Sequence, residues 1–273
     1  MTAPILVTGG TGTLGRLVVR RLRDDGAAVR VLSRHPRDLG AGVELVAGDL
    51  ASGQGVDAAV AGAEIILHCA GSSRGDQGKA EHLVRAAARA GAVRQLVFIS
   101  VVGADRVPQT GRLDRALFGY FGMKLAAERV IADSGLPWTT LRATQFHDLV
   151  YLVVSQLARL PVVPVPAGIR FQPVDTAEVA DRLVELAVGE PAGLVPDLGG
   201  PRASTLADLL RSYLRASHRH RPLLPVHVPG RAARALRAGA NLTPPDRAVG
   251  RRTWEEFLAD RMGPVDRVSS GSA

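Results

Sequence analysis

The stretch ILVTGGTGTLGRLVVRRL, residues 5–22, contains the feature that decides the fold. An apolar run opens it, an amphipathic helical pattern closes it, and a glycine-rich turn joins the two. Gly10, Gly12 and Gly15 form the spacing G-x-G-x-x-G, and Gly9, Gly12 and Gly15 form the variant G-x-x-G-x-x-G. Such a turn requires a residue that tolerates positive φ, a missing side chain where backbone meets pyrophosphate, and a gap where helix packs on strand.

This turn follows a strand pattern and opens a helix, which is the context of a dinucleotide-binding site. The helix that begins near Leu14 directs its free N–H groups toward the phosphates. A tight turn that holds no ligand is the alternative. We expect these turn residues to contact the cofactor: Gly9, Gly10, Thr11, Gly12, Thr13, Leu14 and Gly15.

Short apolar runs alternate with helical patterns through the first 145 residues. Two helical patterns, LGRLVVRRLRDDG and KAEHLVRAAARAGA, end at or near a glycine, which is typical of helix C-termini. This alternation predicts an α/β fold, a Rossmann-like doubly wound parallel sheet covered on both faces. The predicted strands are 5–9, 28–33, 43–48, 64–70, 95–100 and 138–143.

The alternation weakens after residue 145, and prolines become denser. We predict a dinucleotide-binding core over residues 1–145 and a small C-terminal substrate-binding region over 146–273, packed on the same domain. Helical patterns occur in that region at 176–188, 205–217 and 253–262. The small, polar tail from about residue 266 is expected to be frayed.

Bulk composition excludes several classes of protein. The net charge is +8, but 32 of the 34 basic residues are arginines spread along the chain, and aromatic residues make up only 4%. We therefore expect no specific nucleic-acid partner. The single cysteine, Cys69, excludes an intrachain disulfide framework and a cysteine-based metal site, and no metal is predicted.

No apolar run is long enough to predict a membrane span. The longest candidate, residues 151–168, is interrupted by Arg159 and three prolines. The first strand pattern begins so early that no signal peptide precedes it. We therefore expect a cytoplasmic protein without a membrane partner.

The end of the second strand indicates which dinucleotide is bound. An NAD site usually places an acid there, whereas this chain has Ser33 and Arg34 in VLSRHPRD, with Arg37 as a second basic residue. A guanidinium at this point pairs with a 2′-phosphate. We therefore predict NADP(H); a surface arginine in an arginine-rich protein is the alternative.

Other strand ends supply further candidate cofactor contacts. Asp49, followed by Leu50 in AGDL, suits the adenine amino group, and Ala70 with Gly71 leaves room for a ribose. Thr144, followed by Gln145 in RATQF, suits the nicotinamide carboxamide. Small residues at strand ends also occur for packing reasons alone.

Several segments together resemble a known family. TGGTGTLG, GDL, HCAG, FISVVGAD, YFGMKLAAERVI and SGLPWTTLRATQF occur in the order seen in short-chain dehydrogenase/reductases. SGLPWTTLR and PVDTAEVADRLVELA look especially like the atypical NmrA-like branch, also described as NAD(P)H-binding proteins. The resemblance covers about residues 4–190. It implies a Rossmann fold, and a branch in which active reductases occur beside proteins that bind cofactor without obvious turnover.

The resemblance also implies a catalytic group. In active relatives a tyrosine exchanges the proton at the substrate oxygen. A lysine four residues later lowers the tyrosine pKa and holds the nicotinamide ribose, and a serine after the fifth strand orients the carbonyl. Tyr120, Lys124 and Ser100 match this pattern, because a spacing of four places two side chains on one helix face. A second alignment puts Val102, which has no hydroxyl, in the position of the serine.

The neighbouring aromatic and imidazole groups have two interpretations. His147 is either an assistant in proton transfer or an unspecialised loop histidine. The aromatic residues Phe118, Phe121, Phe146 and Tyr151 either wall an apolar pocket or belong to the core. The substrate pocket is expected from residues 145–170 and the C-terminal helices.

These features favour an NADPH-dependent reductase of a carbonyl, quinone or similar small organic substrate, with tyrosine as proton donor. The alternative is a non-catalytic NADP(H)-binding redox sensor, and an epimerase or dehydratase ranks lowest. The sequence leaves the oligomeric state open, a homodimer included.

Overall fold

The computed structural model describes residues 3–36, 39–71, 75–244 and 250–263. Its centre is a seven-stranded, wholly parallel sheet with the strand order β3-β2-β1-β4-β5-β6-β9. The strands of this sheet are β1 (Ile5–Thr8), β2 (Val29–Ser33), β3 (Val43–Ala47), β4 (Ile65–His68), β5 (Gln95–Val101), β6 (Trp138–Ala143) and β9 (Gly193–Leu194). The predicted Rossmann-like α/β fold is confirmed.

Helices cover both faces of the sheet, as a buried parallel sheet requires. One face packs against α1 (Thr13–Asp24) and α6 (Thr176–Val188). The other face packs against α2 (Val56–Val60), α3 (Asp76–Ala90) and α4 (Arg112–Ala132). The two apolar layers fix the sheet between them.

Local signals explain where several elements end. β1 stops at Thr8, one residue before the predicted end, because Gly9 adopts φ 72° and turns the chain. α3 ends at Gly91, whose φ of 68° is favoured by glycine. At the start of α6 the Asp175 side chain accepts a hydrogen bond from the Ala177 N–H at 2.6 Å.

Two elements beyond residue 145 belong to the sheet layer. α6 packs beside α1, and β9 pairs with β6 as the seventh strand. The sequence did not indicate β9, since a strand of two residues has no periodicity to recognise. The division at residue 145 stays a prediction. The sheet and the helices packed on it contain residues from both sides of that position.

The remaining elements form a smaller region after β6. They are α5 (His147–Leu157), β7 (Val163–Pro166), β8 (Arg170–Phe171), β10 (Ser204–Thr205), α7 (Leu206–Ala216), β11 (Leu223–Val226), α8 (Arg231–Arg237) and α9 (Trp254–Met262). α5, α7 and α9 enclose a separate apolar cluster, β7 pairs with β11 in parallel, and α8 packs on α4.

In the part of the chain that the structure describes, no helix has both the length and the apolarity needed to cross a bilayer. The predicted frayed tail from about residue 266 lies outside the described residues.

Candidate active site

A cavity of about 950 Å³ opens where the carboxyl ends of the parallel strands meet the C-terminal region. Many of the residues predicted for cofactor or catalysis line it: Gly9, Gly12, Thr13, Leu14, Gly15, Gly71, Ser100, Tyr120, Lys124 and Thr144. The parallel sheet explains the convergence, because each of these residues follows a strand end or belongs to a helix beside that edge.

The glycine turn permits a close approach of backbone to a ligand. A Cβ on Gly9 would lie 2.7 Å from the Cα of Ala70, and a Cβ on Gly15 would overlap the Gly9 carbonyl oxygen. α1 then begins at Thr13 with no acidic residue in its first turn. Its first N–H groups have no intrahelical acceptor and favour an anion.

The remaining predicted cofactor residues lie at the same sheet edge, outside the cavity lining. Ser33 Oγ donates to the His35 carbonyl at 3.1 Å, and Asp49 Oδ1 accepts from the Ala51 N–H at 2.9 Å. Leu50 is buried in the core, and Arg34 is exposed with no described carboxylate within ion-pair distance. The others in this group are Gly10 and Thr11 in the turn and Ala70 after β4; Arg37 lies outside the described residues.

Lys124 is buried at the cavity lining, and its ammonium contacts polar groups of the protein. It is 3% exposed, its Nζ lies 3.2 Å from Asp76 Oδ2, and it donates to the Ile99 carbonyl at 3.2 Å. The Nζ also sits 4.8 Å from the Phe98 ring centroid. Burial lowers the pKa of Lys124, and the Asp76 carboxylate opposes that shift. No sequence motif indicated Asp76, which lies on a different helix, α3.

Tyr120 shares this face of α4 with Lys124. Tyr120 is 41% exposed and lines the cavity, and the Lys124 Nζ lies 5.9 Å from its ring centroid. Crowding by the surrounding protein raises the pKa of Tyr120 to about 12, and the Asp76 carboxylate acts in the same direction. The expectation that Lys124 lowers this pKa is therefore wrong for this structure, first because the surrounding protein keeps water from the phenol and second because the Asp76 carboxylate disfavours the phenolate.

Ser100 lies in β5, at the carboxyl edge of the sheet. It is 5% exposed, it lines the cavity, and its Oγ has no hydrogen-bond partner among the described residues. A buried hydroxyl without a partner is costly and unusual. Val102, the competing candidate, is fully buried and absent from the described cavity lining. The structure thus brings Ser100, rather than Val102, to the cavity with Tyr120 and Lys124.

Two polar residues after β6 are already bonded within the protein. Thr144 Oγ1 donates to the Gln172 carbonyl at 2.5 Å, and Gln145 Oε1 accepts from the Gln172 N–H at 3.2 Å. Both residues line the cavity. Two of their backbone groups are bonded as well, since the Thr144 N–H donates to the Leu198 carbonyl at 3.0 Å and the Gln145 carbonyl accepts from the Val174 N–H at 2.9 Å.

His147 does not reach the cavity lining. It begins α5, is fully buried, and packs 5.9 Å from Trp254 and 5.1 Å from Phe257 between ring centroids. Burial lowers its pKa to about 4. Both sequence interpretations are corrected, since His147 is neither a loop residue nor close enough to assist proton transfer. Tyr151 packs in the same cluster.

The predicted aromatic wall is present in part, and most of the wall is aliphatic. Phe118, Phe121 and Phe146 line the cavity. The other apolar lining residues, none of them named individually from the sequence, include Leu117, Leu149, Pro164, Val165, Pro166, Ile169, Phe171, Val226, Val228 and Leu236. Lys124 is the one charged side chain in the described lining. Residues from the predicted pocket range 145–170 therefore do line the cavity, whereas Leu117 lies on α4, outside that range.

The chain is similar to a known protein family. Residues 9–186 match the family model described as NAD(P)H-binding, which is more than half of the chain. The chain belongs to this NAD(P)H-binding family. This match agrees with the NAD(P)H-binding character that the sequence resemblance implied.

The chain is similar to individual curated proteins at about one third sequence identity. The chain is 34% identical over 145 residues to the (4-alkanoyl-5-oxo-2,5-dihydrofuran-3-yl)methyl phosphate reductase of Streptomyces griseus, covering 52% of this chain and 48% of that protein. It is 33% identical over 211 residues to the ceramide reductase of Caulobacter vibrioides, covering 70% of this chain and 63% of that protein. The chain thus spans less than two thirds of the length of either relative.

Among solved structures, the fold resembles the Escherichia coli NADPH-dependent quinone oxidoreductase QOR2 complexed with NADPH. The TM-score is 0.78 at 20% identity, with 94% of this chain and 99% of that chain covered. At this identity the likeness shows the fold. The glycine turn of this NAD(P)H-binding protein fits such a cofactor, because a side chain at Gly9 or Gly15 would collide with neighbouring backbone and prevent the tight turn that opens α1.

A buried ion pair holds α4 of this NAD(P)H-binding protein on the sheet. Arg142 of β6 donates to Glu128 of α4 through two hydrogen bonds of 2.9 and 2.6 Å, and its third nitrogen lies 2.9 Å from Asp105. Glu128 is one turn beyond Lys124 and two turns beyond Tyr120, on the same helix face. The pair therefore fixes the rotation of α4 that points both side chains at the cavity.

We expect Glu128→Gln to destabilise the fold by about 3 kcal/mol, because a buried arginine loses a charged partner. Urea unfolding followed by circular dichroism measures the change. The matched control is Glu64→Gln, which breaks an ion pair with Arg94 whose side chains are 50% and 55% exposed. The control should cost less than about 1 kcal/mol. Similar small losses in both variants would contradict the assigned role of the buried pair.

Proposed function

We propose that this protein is an NADPH-dependent reductase of an uncharged, largely apolar carbonyl or quinone compound. The observation that carries the proposal is the unpartnered Ser100 Oγ, which lines one cavity with Tyr120, Lys124 and the glycine turn. A free hydroxyl that lines the same cavity as a phenol is suited to receive the oxygen of a substrate carbonyl.

Ser100, Tyr120 and Lys124 have separate roles in the proposed reaction. Bound NADPH supplies the hydride. Ser100 Oγ donates a hydrogen bond to the carbonyl oxygen and polarises it. Tyr120 donates its hydroxyl proton to that oxygen as negative charge develops there. With its pKa raised to about 12, the Tyr120 hydroxyl is protonated at neutral pH and ready for the reductive direction.

Lys124 has a different role from Ser100 and Tyr120. Its ammonium is held by Asp76 and by the Ile99 carbonyl, and Gly71 leaves it space, since a Cβ there would lie 3.1 Å from the Nζ. By resemblance to active relatives, the lysine holds the nicotinamide ribose. The Asp76 carboxylate partly neutralises the charge of Lys124. We therefore propose that Lys124 positions the cofactor rather than tunes the pKa of Tyr120.

The lining of the cavity restricts the substrate. Among the described lining residues the single cation, Lys124, is already paired, and the wall facing Tyr120 is built from aliphatic and aromatic side chains. In the part of the cavity away from the glycine turn, a phosphate or a nucleotide diphosphate on the substrate would lose its hydration without gaining a counter-charge. The substrate therefore differs from the phosphorylated compound for which the Streptomyces relative is named, and a nucleotide-sugar reaction is disfavoured.

Turnover of NADPH with a panel of quinones, ketones and enones tests the proposal. We expect oxidation with apolar members of the panel and none with phosphorylated analogues. A protein that binds NADPH but oxidises it with no member would instead support the non-catalytic redox sensor. For a sensor, the oxidised and reduced cofactors should bind with different affinities.

Arg34 is proposed to select NADPH over NADH. It is exposed at the end of β2 and free of described carboxylates, so its guanidinium is available to a 2′-phosphate. We expect Arg34→Gln to weaken NADPH binding by about 10- to 100-fold, the usual size of a charge-assisted contact. NADH affinity, measured by the same fluorescence titration, should not change.

The control for this prediction is Arg85→Gln, which removes an exposed arginine from α3. It should leave both affinities unaltered. A parallel loss of NADPH and NADH affinity in Arg34→Gln would contradict phosphate recognition by this residue.

A further inference from the structure

Exposed apolar side chains surround the mouth of the cavity on three elements. We define this apolar rim as Leu113 and Leu117 on α4, Leu149 and Leu152 on α5, and Leu224 and Val226 on β11, each between 39% and 55% exposed. The pairs are one helical turn or two strand residues apart, so each pair lies on one face of its element. Isolated exposed leucines are ordinary, but a patch gathered around an opening marks an interaction site.

The rim is continuous with the cavity wall. Leu117, Leu149 and Val226 are exposed and also line the cavity. An apolar molecule that leaves a covering surface at the rim can therefore enter the cavity without crossing water. A rigid protein partner seated on the rim would close the same opening.

Positive charge flanks the rim. The segment 209–245, which includes β11 and α8, contains seven arginines and no aspartate or glutamate, and one of the seven, Arg211, pairs with Asp208 just before it. Arg231 and Arg234 are exposed on α8, which packs on α4, and Arg112 and Arg115 are exposed on α4 itself. None of these four pairs with a carboxylate of the described residues. Apolar side chains beside uncompensated arginines match the interface of an anionic membrane.

We propose that the apolar rim docks onto the surface of an anionic phospholipid bilayer, and that the cavity takes its apolar ligand from that surface. This departs from the sequence expectation of no membrane partner, which considered spanning segments only. The proposal rests on the cavity mouth and its charge, and it holds whether or not the protein is a reductase.

A second copy of the chain is the competing occupant of the rim, and the charge argues against it. A two-fold interface would bring the same surface of both copies together. The arginines of α4 and α8 would then lie against the equally positive surface of the other copy, and like charges opposed across an interface disfavour association. A bilayer of anionic lipid supplies the opposite charge instead.

Vesicle sedimentation of the full chain, without cofactor or substrate, tests the proposal. We expect binding to vesicles of phosphatidylcholine mixed with phosphatidylglycerol, and at least about tenfold weaker binding to phosphatidylcholine alone. The rim variant Leu113→Ser/Leu152→Ser/Leu224→Ser changes residues outside the described cavity lining and should bind the mixed vesicles at least about tenfold more weakly.

Matched variants separate the rim from general surface effects. Val188→Ser/Leu194→Ser removes two side chains that are 64% and 51% exposed, one on α6 and one on β9, and should bind as the unmodified protein does. Arg231→Gln/Arg234→Gln should weaken binding by about tenfold or more, whereas Arg85→Gln/Arg129→Gln, which removes the same charge elsewhere, should not. Circular dichroism checks that each variant is folded.

Three outcomes would overturn the proposal. In the first, the unmodified protein fails to bind mixed vesicles. In the second, the rim variant binds them as well as the control does, and vesicle binding is then only an unspecific attraction of arginine for polyanions. In the third, light scattering shows a dimer that the rim variant dissociates while vesicle binding is unchanged. NADPH turnover measured in parallel reports separately on the proposed reductase.

Discussion

Tyr120→Phe is expected to lower kcat for carbonyl or quinone reduction by about 10²- to 10⁴-fold, the usual contribution of a positioned proton donor. The substitution removes one oxygen atom and keeps the ring beside Lys124. NADPH affinity should therefore stay within about twofold of the unmodified protein. Steady-state turnover and cofactor titration on the same sample separate the two effects.

Tyr151→Phe is the matched control for this substitution. Tyr151 packs against Tyr213 and Phe257, away from the described cavity lining, so its hydroxyl has no route to the substrate. Its loss should leave kcat unchanged. If Tyr120→Phe turns over as fast as Tyr151→Phe, the proton comes from another group and the assignment of Tyr120 is wrong.

The raised pKa of Tyr120 adds a pH signature. A proton donor acts only while protonated, which is to say below its pKa, and the pKa of Tyr120 lies at about 12. Reduction should therefore retain its donor throughout the neutral and mildly alkaline range. A loss of kcat in that range that disappears in Tyr120→Phe would show that bound cofactor or substrate lowers the pKa of the phenol.

Gly15→Ala is expected to weaken NADPH binding by at least about 100-fold and to destabilise the fold by about 1–3 kcal/mol, the usual cost of overpacking. The new Cβ would overlap the carbonyl oxygen of Gly9 and come within 2.7 Å of the Gly10 Cα. These contacts are to backbone, which a rotamer change cannot relieve. The turn must move, and the phosphate-facing N–H groups move with it.

Gly78→Ala in α3 is the control, because no atom lies within 4 Å of its added Cβ and the position is helical. Alanine there should stabilise the helix by up to about 1 kcal/mol and leave NADPH affinity unchanged. Thermal unfolding with and without NADPH measures both quantities. Equal NADPH affinity in the two variants would show that the glycine turn does not hold the cofactor.

Local patterns carried most of the fold. The six strands and the glycine turn were readable because period, composition and spacing act between residues close in the chain. β6 and α6 begin and end at the predicted residues. The two-residue β9 was missed because its only support is a neighbouring strand, β6.

The order of apolar runs, glycines and spaced polar residues was enough to predict the Rossmann-like sheet, the glycine turn and the candidate residues Ser100, Tyr120 and Lys124. Their arrangement relative to one another became visible in the folded chain. It paired Lys124 with Asp76, left the Ser100 hydroxyl without a partner, and carried His147 away into an aromatic cluster. The reason is physical, since backbone propensity acts over a few residues, whereas burial, ion pairing and the shape of a cavity depend on atoms that approach only when the chain is folded.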